Sequence, residues 1–449
     1  MTAKNPAAIR SAYILLYLLL PLLLITAIWH INPSKYSSPK IIPMMLGALA
    51  YTMMNMQLII ASRPKWLEKW FGMDQLYRIH GSLAVIAIAA ALIHKGMEPR
   101  MAFIPWLSPA GSTALSLFII TSLLAVLFLT PFLRRLLPAS SPLFRITGLA
   151  PFRYHIQRWI HNITVIAAVI MFIHVMLTPT AKNWSVQSLY ILYFGTALSF
   201  YLYHRLIRPR FFRHLFTIDQ VIPESDQMTT IRMHPIKDSV FSYKPGQFAY
   251  FSFRDPALTR EEHPFSITSQ PGCTDSLSIT IKDLGDWTSQ AKHLSPGSTV
   301  HIDAPYGRLS PLLYPCSGGM ILMAAGAGIT PMMSIIRYYR ETDPLQKILL
   351  FWMVPYEKDL ICKEEWMEIQ TRMTNFTLVP IVSRDPSFPG ETGHITPSLI
   401  RKYAGLSQMN LSDAQIFICG PANMQNACVD MLHELHVNNR LIHKENFSF

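Results

Sequence analysis

The chain has 449 residues, half of them hydrophobic, and a formal net charge of +12. That length exceeds one ordinary domain, so two or three are expected. The charge is unevenly held: residues 1–213 carry 20 Lys/Arg against three acids (Glu68, Asp74 and Glu98), and residues 214–449 carry 19 against 24. A basic, apolar first half joined to a mildly acidic second half excludes a nucleic-acid binder and reads as a membrane domain with charged loops.

Six apolar segments follow one another at residues 11–29, 41–61, 76–94, 112–133, 155–177 and 186–205. Most reach the length a membrane helix needs. The first, Ser11–Trp29, is long for a signal-peptide core and has no small-residue cleavage pattern, so it reads as a retained span. With the N-terminus in the cytosol, fifteen Lys/Arg fall at inner positions and five at outer ones. That bias favours both termini inside a plasma membrane. Membrane lipid is then one expected partner, and nucleic acid is not.

The third and fifth segments each hold two histidines, His80 and His94 fourteen residues apart and His161 and His174 thirteen apart. Thirteen or fourteen helical residues climb about 20 Å, most of the roughly 30 Å hydrocarbon core. Both segments run the same way through the membrane in this topology. His80 and His161 therefore share the inner level, and His94 and His174 the outer. Two helices offering imidazoles at two depths can clamp two hemes, a path for electrons. The phase is imperfect: fourteen residues return to within about 40° of one face, but thirteen fall about 140° away. The fifth helix must be tightened or rotated, or the hemes offset sideways.

Past Arg213 the pattern changes. Short alternating runs at Thr230–Met233, Phe248–Phe253, Leu277–Lys282 and Thr299–Asp303 predict an antiparallel β-barrel over 214–312. Apolar strands alternating with helices at Gly319–Ala325, Pro331–Arg340, Ile348–Val354, Ile416–Cys419 and Ala422–Leu435 predict an α/β domain over 313–449. All five cysteines (Cys273, Cys316, Cys362, Cys419, Cys428) lie in this half without metal-ligand spacing, as reduced cytosolic thiols would.

Three motifs carry chemistry. In His263-Pro264-Phe265-Ser266 an aromatic ring can pack on a flavin, and the following hydroxyl can bond near its reactive nitrogen. Lys282-Asp283-Leu284-Gly285-Asp286-Trp287-Thr288 supplies a cation, a turn and a hydroxyl, the parts of a pyrophosphate cradle. Gly326-Ala327-Gly328-Ile329-Thr330-Pro331 follows a strand and opens a helix, where backbone and helix terminus favour a second pyrophosphate. Cys419-Gly420-Pro421 again links strand to helix and can set Cys419 near a nicotinamide.

Their order and combination resemble the NADPH oxidase and ferric reductase family across nearly the whole chain. The resemblance implies a multi-domain membrane protein: a six-helix transmembrane heme bundle over 1–213, an FAD-binding β-barrel over 214–312 and an α/β nucleotide-binding domain over 313–449. It implies that His80 and His161 hold the inner heme b and His94 and His174 the outer one. It places FAD against His263, Pro264, Phe265, Ser266, Lys282, Gly285, Trp287 and Thr288. It places NADPH against Gly326, Gly328, Thr330, Pro331, Cys419, Gly420 and Pro421. The terminal Phe449 is the aromatic that covers the flavin in many members; with Ser266 and Cys419 it completes the catalytic set. Ser383 and Arg384 resemble the pair that binds the 2′-phosphate in ferredoxin–NADP reductases, which favours NADPH over the alternative, NADH.

The function these features imply is electron transfer from cytosolic NADPH, through FAD and two hemes, to a small-molecule acceptor on the far side. The acceptor is O2, giving superoxide, or a ferric chelate, giving Fe(II). Two rival readings belong to other classes: a flavin reductase merely tethered by its helices, and a heme-binding sensor. Protein partners leave no motif.

Overall fold

A computed structural model describes residues 6–31, 38–97, 107–129, 154–208, 213–237, 239–256, 258–273 and 275–445. The chain falls into two compact units that divide near residue 210.

The first unit is helical: α1 (Pro6–Ile31), α2 (Ser38–Ala61), α3 (Lys65–Phe71), α4 (Met73–Met97), α5 (Leu107–Leu124), α6 (Tyr154–His161), α7 (Ile163–Met176) and α8 (Trp184–Leu202). Ile41–Ala61, Met73–Met97, Leu107–Leu127 and Trp159–Met176 are long and apolar enough to cross a membrane. These are the second to fifth segments expected from the sequence. In the first, Leu19–Ile31 is a shorter apolar helix. The sixth is helical as α8, but Gln187 and the tyrosines at 190, 193 and 201 dilute its hydropathy. Ala87, Ala90, Ala91, Ala114, Ala167, Ala168 and Ala197 fill the interior beside Tyr51, Met54 and Phe118. Small side chains let apolar helices approach closely. Leucines, isoleucines and valines such as Leu19, Val85, Ile93, Leu123, Ile166 and Leu192 face outward instead. A helical unit apolar on both its inner and outer faces suits lipid as its solvent.

The fifth expected segment is not one continuous helix. It breaks at Asn162, between α6 and α7. The Asn162 N–H bonds the Trp159 carbonyl and the Val165 N–H bonds the Asn162 carbonyl, both three-residue steps. Such a turn winds by about 120° per residue rather than 100°. It therefore advances His174 towards the phase of His161, the direction the thirteen-residue spacing requires. α4, with its fourteen-residue spacing, runs unbroken.

The second unit contains two six-stranded sheets. The first is antiparallel, in the order β4 (His263–Ser266), β3 (Phe248–Arg254), β6 (Thr299–Tyr306), β1 (His214–Ser225), β2 (Met228–Pro235), β5 (Leu277–Lys282). Burial alternates along β6, the mark of a strand with one face in the core. The core lies among Phe216, Ile231, Phe251, Phe253, Ile279 and Ile302. An isolated bridge from Ile267 to Ile279 brings the chain just after β4 against β5.

The second sheet is parallel, in the order β10 (Glu391–Thr392), β9 (Phe376–Val382), β8 (Ile348–Val354), β7 (Met320–Ala325), β11 (Gln415–Cys419), β12 (Ile442–Glu445). β7 and β8 are almost wholly apolar, as strands buried on both faces must be. Helices α9 (Ile329–Thr342), α10 (Lys363–Arg372), α11 (Pro397–Leu406) and α12 (Ala422–Glu434) connect the strands. α9 also ties the two sheets together. Arg337 pairs bidentately with Glu365 at 2.7 and 2.6 Å and donates to the Thr268 carbonyl at 2.7 Å, while Ser334 donates to the Ser269 carbonyl at 2.8 Å. All five cysteines are free.

His443, on β12, is stacked on Tyr314 with ring centroids 3.6 Å apart and meets the Gln415 side chain at 2.7 Å. Burial, helped by the charge of Arg308, pushes its pKa down from 6.5 to about 4. Below pH 6.5 the unfolded chain takes up a proton that the folded chain refuses until about pH 4, so stability falls as pH drops through that window. At about 1.4 kcal/mol per unit, the full loss is about 3 kcal/mol. The urea midpoint of the detergent-solubilised chain should fall across this range, and His443→Phe should reduce the slope by about one proton.

Candidate functional site

The four histidines meet in two facing pairs. His80 and His161 lie with ring centroids 6.2 Å apart, and His94 and His174 at 6.5 Å, each pair with rings near perpendicular (77° and 74°). A metal–imidazole bond is about 2.0 Å. Adding a ring radius of about 1.2 Å on each side, one metal atom held between two imidazoles sets the centroids about 6 Å apart. Both pairs match that spacing. Among the described residues no group of three or more His, Cys, Asp or Glu converges on a metal position. The pairs therefore suit a metal that brings its other ligands with it.

Around the inner pair is a cavity of about 80 Å³, lined by Met54, Gln57, Leu58, Ala87, Phe118 and Tyr201 as well as the two histidines. The Nδ1 atoms of His80 and His161 are buried without a hydrogen-bond partner among the described residues, as are both amide atoms of Gln57. The outer pair is held differently. His94 Nδ1 lies 2.7 Å from the Pro43 carbonyl, and His174 Nδ1 lies 2.8 Å from the Leu107 carbonyl.

In the second unit the flavin motifs come together. The His263 ring lies 4.1 Å from that of Trp287, and Phe265 lies 5.7 Å from it, so the HPFS strand and the GDWT run share one aromatic cluster. β4 pairs with β3, setting Pro264 opposite Tyr250 and the buried Ser266 opposite Phe248. Trp287 Nε1 donates to the Thr259 carbonyl at 3.3 Å. The Thr288 hydroxyl accepts from the N–H groups of Leu284 and Gly285, closing the turn after β5. Lys282 Nζ lies 3.6 Å from where a Cβ on Gly326 would stand, so the cation of the first sheet reaches the glycine turn of the second.

The nicotinamide motifs share one edge. β7 runs outward to β8 and β9 on one side and has β11 on the other. The strand order reverses between β7 and β11, and ligands of open parallel sheets bind outside the carboxyl ends at such a point. Gly326–Gly328 follow β7, and Gly420–Pro421 follow β11. Gly326 has φ +54°, the left-handed region glycine tolerates. A Cβ on Gly328 would stand 2.0 Å from the Cys419 carbonyl oxygen and 2.9 Å from the Gly420 nitrogen. The two loops touch backbone to backbone, which only glycine permits. The Thr330 hydroxyl donates to the Ala327 carbonyl at 2.9 Å, and both Thr330 and Pro331 are buried in the start of α9. Ser383 and Arg384 sit at the same edge beyond β9, held by N–H bonds to the carbonyls of Val354 and Pro355; Arg384 is exposed. Cys419 is 2 % exposed, and burial pushes its thiol well above its ordinary value, so it stays protonated. Phe449 lies outside the described residues.

Sequence reasoning passed over four residues here. Gln425, buried in α12, donates to the carbonyls of Gly420 and Glu445 at 2.8 and 3.0 Å and fixes the ends of β11 and β12. Its signal is an amide four residues past Pro421 on an otherwise buried helix face. Glu445, also buried, accepts from the Arg308 N–H at 3.3 Å and lies against Gly307, joining the second sheet to the end of β6. Gly47 and Gly111 face His94 and His174; nothing local distinguishes them from other glycines in apolar helices.

Two family models match the second half: an FAD-binding domain over residues 216–310 and an oxidoreductase NAD-binding domain over 322–430. The reductase component of propane 2-monooxygenase from Mycolicibacterium goodii is 25% identical over 226 residues, 47% of this chain and 61% of that protein. Respiratory burst oxidase homolog protein E of Arabidopsis thaliana is 28% identical over 254 residues, 51% of this chain and 25% of that protein. The chain thus spans less than two thirds of these relatives. The crystal structure of the Amycolatopsis cytochrome P450 reductase GcoB aligns with a TM-score of 0.47 at 21% identity, over 52% of this chain and 69% of that one.

Gly328→Ala tests the joined loops. Its Cβ must push the backbone of Cys419 aside, so nicotinamide binding should weaken at least about tenfold, with a stability loss of about 1–3 kcal/mol. Titration of the flavin spectrum with a non-reducing nucleotide analogue and a urea melt read the two effects.

Proposed function

We infer, for a chain that belongs to the NADPH oxidase-like family and whose second half is an FAD-binding, NAD(P)H-dependent oxidoreductase, that it carries electrons from cytosolic NADPH across a membrane to O2, yielding superoxide. The observation that carries this reading is the pair of imidazole pairs, each spaced for one iron, in the apolar half of a chain whose other half is a dehydrogenase.

When bound, FAD converts a two-electron hydride into single electrons, and heme b relays them one at a time. The residues of this chain provide the positions. His80 with His161, and His94 with His174, would hold two hemes, whose porphyrins would supply the other nitrogens to iron. With both histidines bound to iron, an acceptor would take its electron by an outer-sphere route and would need no binding motif. Phe265 and Ser266 would pack against the flavin ring, and Lys282, beside Gly326, would offer a cation to the pyrophosphate. The start of α9 adds backbone N–H groups and the positive end of its dipole. Arg384, exposed just beyond β9, would offer its guanidinium to the 2′-phosphate that distinguishes NADPH from NADH. The six expected spans would set both termini in the cytosol and the outer histidine pair at the far face.

Purified protein in detergent with FAD and NADPH should show a b-type spectrum with two hemes per chain and reduce cytochrome c in a reaction abolished by superoxide dismutase. Fe(II) formation that persists anaerobically would replace the oxidase reading with ferric reduction. NADPH oxidation without heme absorbance would reduce the helices to a tether. His174→Leu should halve the heme content and stop electron output while leaving NADPH-to-flavin reduction intact. Arg384→Ala should raise the KM for NADPH about tenfold or more and leave that for NADH unchanged.

A further inference from the structure

The outer histidines are each seated in a notch built the same way on a neighbouring helix. His94 Nδ1 approaches the Pro43 carbonyl of α2, and the residue four positions on is Gly47. His174 Nδ1 approaches the Leu107 carbonyl of α5, and the residue four positions on is Gly111. A residue four positions on lies over the same helix face one turn along. A Cβ at Gly47 would stand 3.0 Å from His94 Nδ1 and Cε1, and one at Gly111 would stand 2.7 and 2.8 Å from His174 Cε1 and Nδ1. Any side chain there would press the imidazole away from its carbonyl. Gly81, Gly96 and Gly195, in the same unit, have open space where their Cβ would be.

A backbone carbonyl can only accept, so each Nδ1 must carry the hydrogen. The lone pair is then left on Nε2, the nitrogen that would ligate iron. An N–H donated to a carbonyl also makes the opposite nitrogen a stronger base. The inner histidines are held less closely: Nδ1 of His80 and of His161 makes no hydrogen bond among the described residues, though the Thr121 backbone approaches His161.

We propose that Gly47 and Gly111 are positioning residues that lock His94 and His174 as Nδ1–H tautomers, and that the outer heme consequently has the lower reduction potential of the two. This rests on the reading that both pairs hold heme. More basic axial ligands favour ferric over ferrous iron, which sets the sign.

The experiment is a redox titration of heme absorbance in the purified full chain. Wild type should resolve two one-electron components. In Gly111→Ala, and separately in Gly47→Ala, the lower component should move up towards the other, or disappear together with half the heme. Gly195→Ala should titrate as wild type. Two coincident components in wild type, both notch variants titrating as wild type, or loss of the higher component instead would each overturn the proposal. Should neither alanine variant accumulate, the wild-type titration alone still decides it, with selective loss of a component in His174→Ala identifying the outer heme. A wild-type preparation with no b-type absorbance would instead sink the parent reading.

Discussion

Everything in the apolar half follows from what four imidazoles cost inside it. An ionisable or polar side chain in a membrane helix is expensive and needs a partner. Here each imidazole finds another across a gap of one metal atom, at 6.2 and 6.5 Å between centroids. That gap dictates the packing around it. The helices carrying the pairs bury alanines in the core of the unit, and glycines stand opposite the outer imidazoles. The break at Asn162 serves the same end. A regular helix through 155–177 cannot present residues thirteen apart on one face, and the tightened turn is what brings α7 closer to register with α4.

The dehydrogenase half rests on a different constraint, the reversal of strand order between β7 and β11. Two strand ends diverging there leave a crevice, and the chain fills its rim with glycine so that backbone N–H groups can face a phosphate. Gly328 packed on the Cys419 carbonyl shows how tightly that rim is drawn. The bonds from Arg337 to the Thr268 carbonyl and from Ser334 to the Ser269 carbonyl then hold α9 to the first sheet, where Lys282 reaches the Gly326 turn. The two sheets are thereby coupled, since the helix that opens at the Gly326–Gly328 turn also bonds the segment after β4.

Much of this was legible in the sequence because it is periodic or local. β5 and β8 begin and end where their apolar runs do, and the glycine motif opens a helix as its composition requires. The pairing of His80 with His161, and of His94 with His174, follows from run length and direction alone. What stayed hidden depends on contacts between distant segments. β1 is twelve residues long yet mixes Asp219, Gln220, Pro223 and Glu224 into its run, because it takes its register from both β2 and β6. Gly47 and Gly111 have no local signature; their meaning comes from histidines 47 and 63 residues later. Cys419 was legible as a strand end, and its 2 % exposure agrees with the plain reading of a small buried residue.

Charge economy in the first half narrows the chemistry further. Residues 1–213 contain three acids. Glu68 is buried on the short helix α3, and Asp74 pairs with Arg78 at 3.1 Å one turn along α4. Both therefore lie at the start of the α3–α4 stretch, well before His94. A proton path through a membrane needs titratable groups in sequence through its depth. Between the levels of His80 and His94, fourteen residues apart on α4, the helix offers only Gly, Ser, Ala, Val, Ile and Leu. The same is true of α7 above Thr164, where residues 165–173 are all apolar. What these two helices share along that stretch is a pair of imidazoles at each end and, Ser82 aside, hydrocarbon between them.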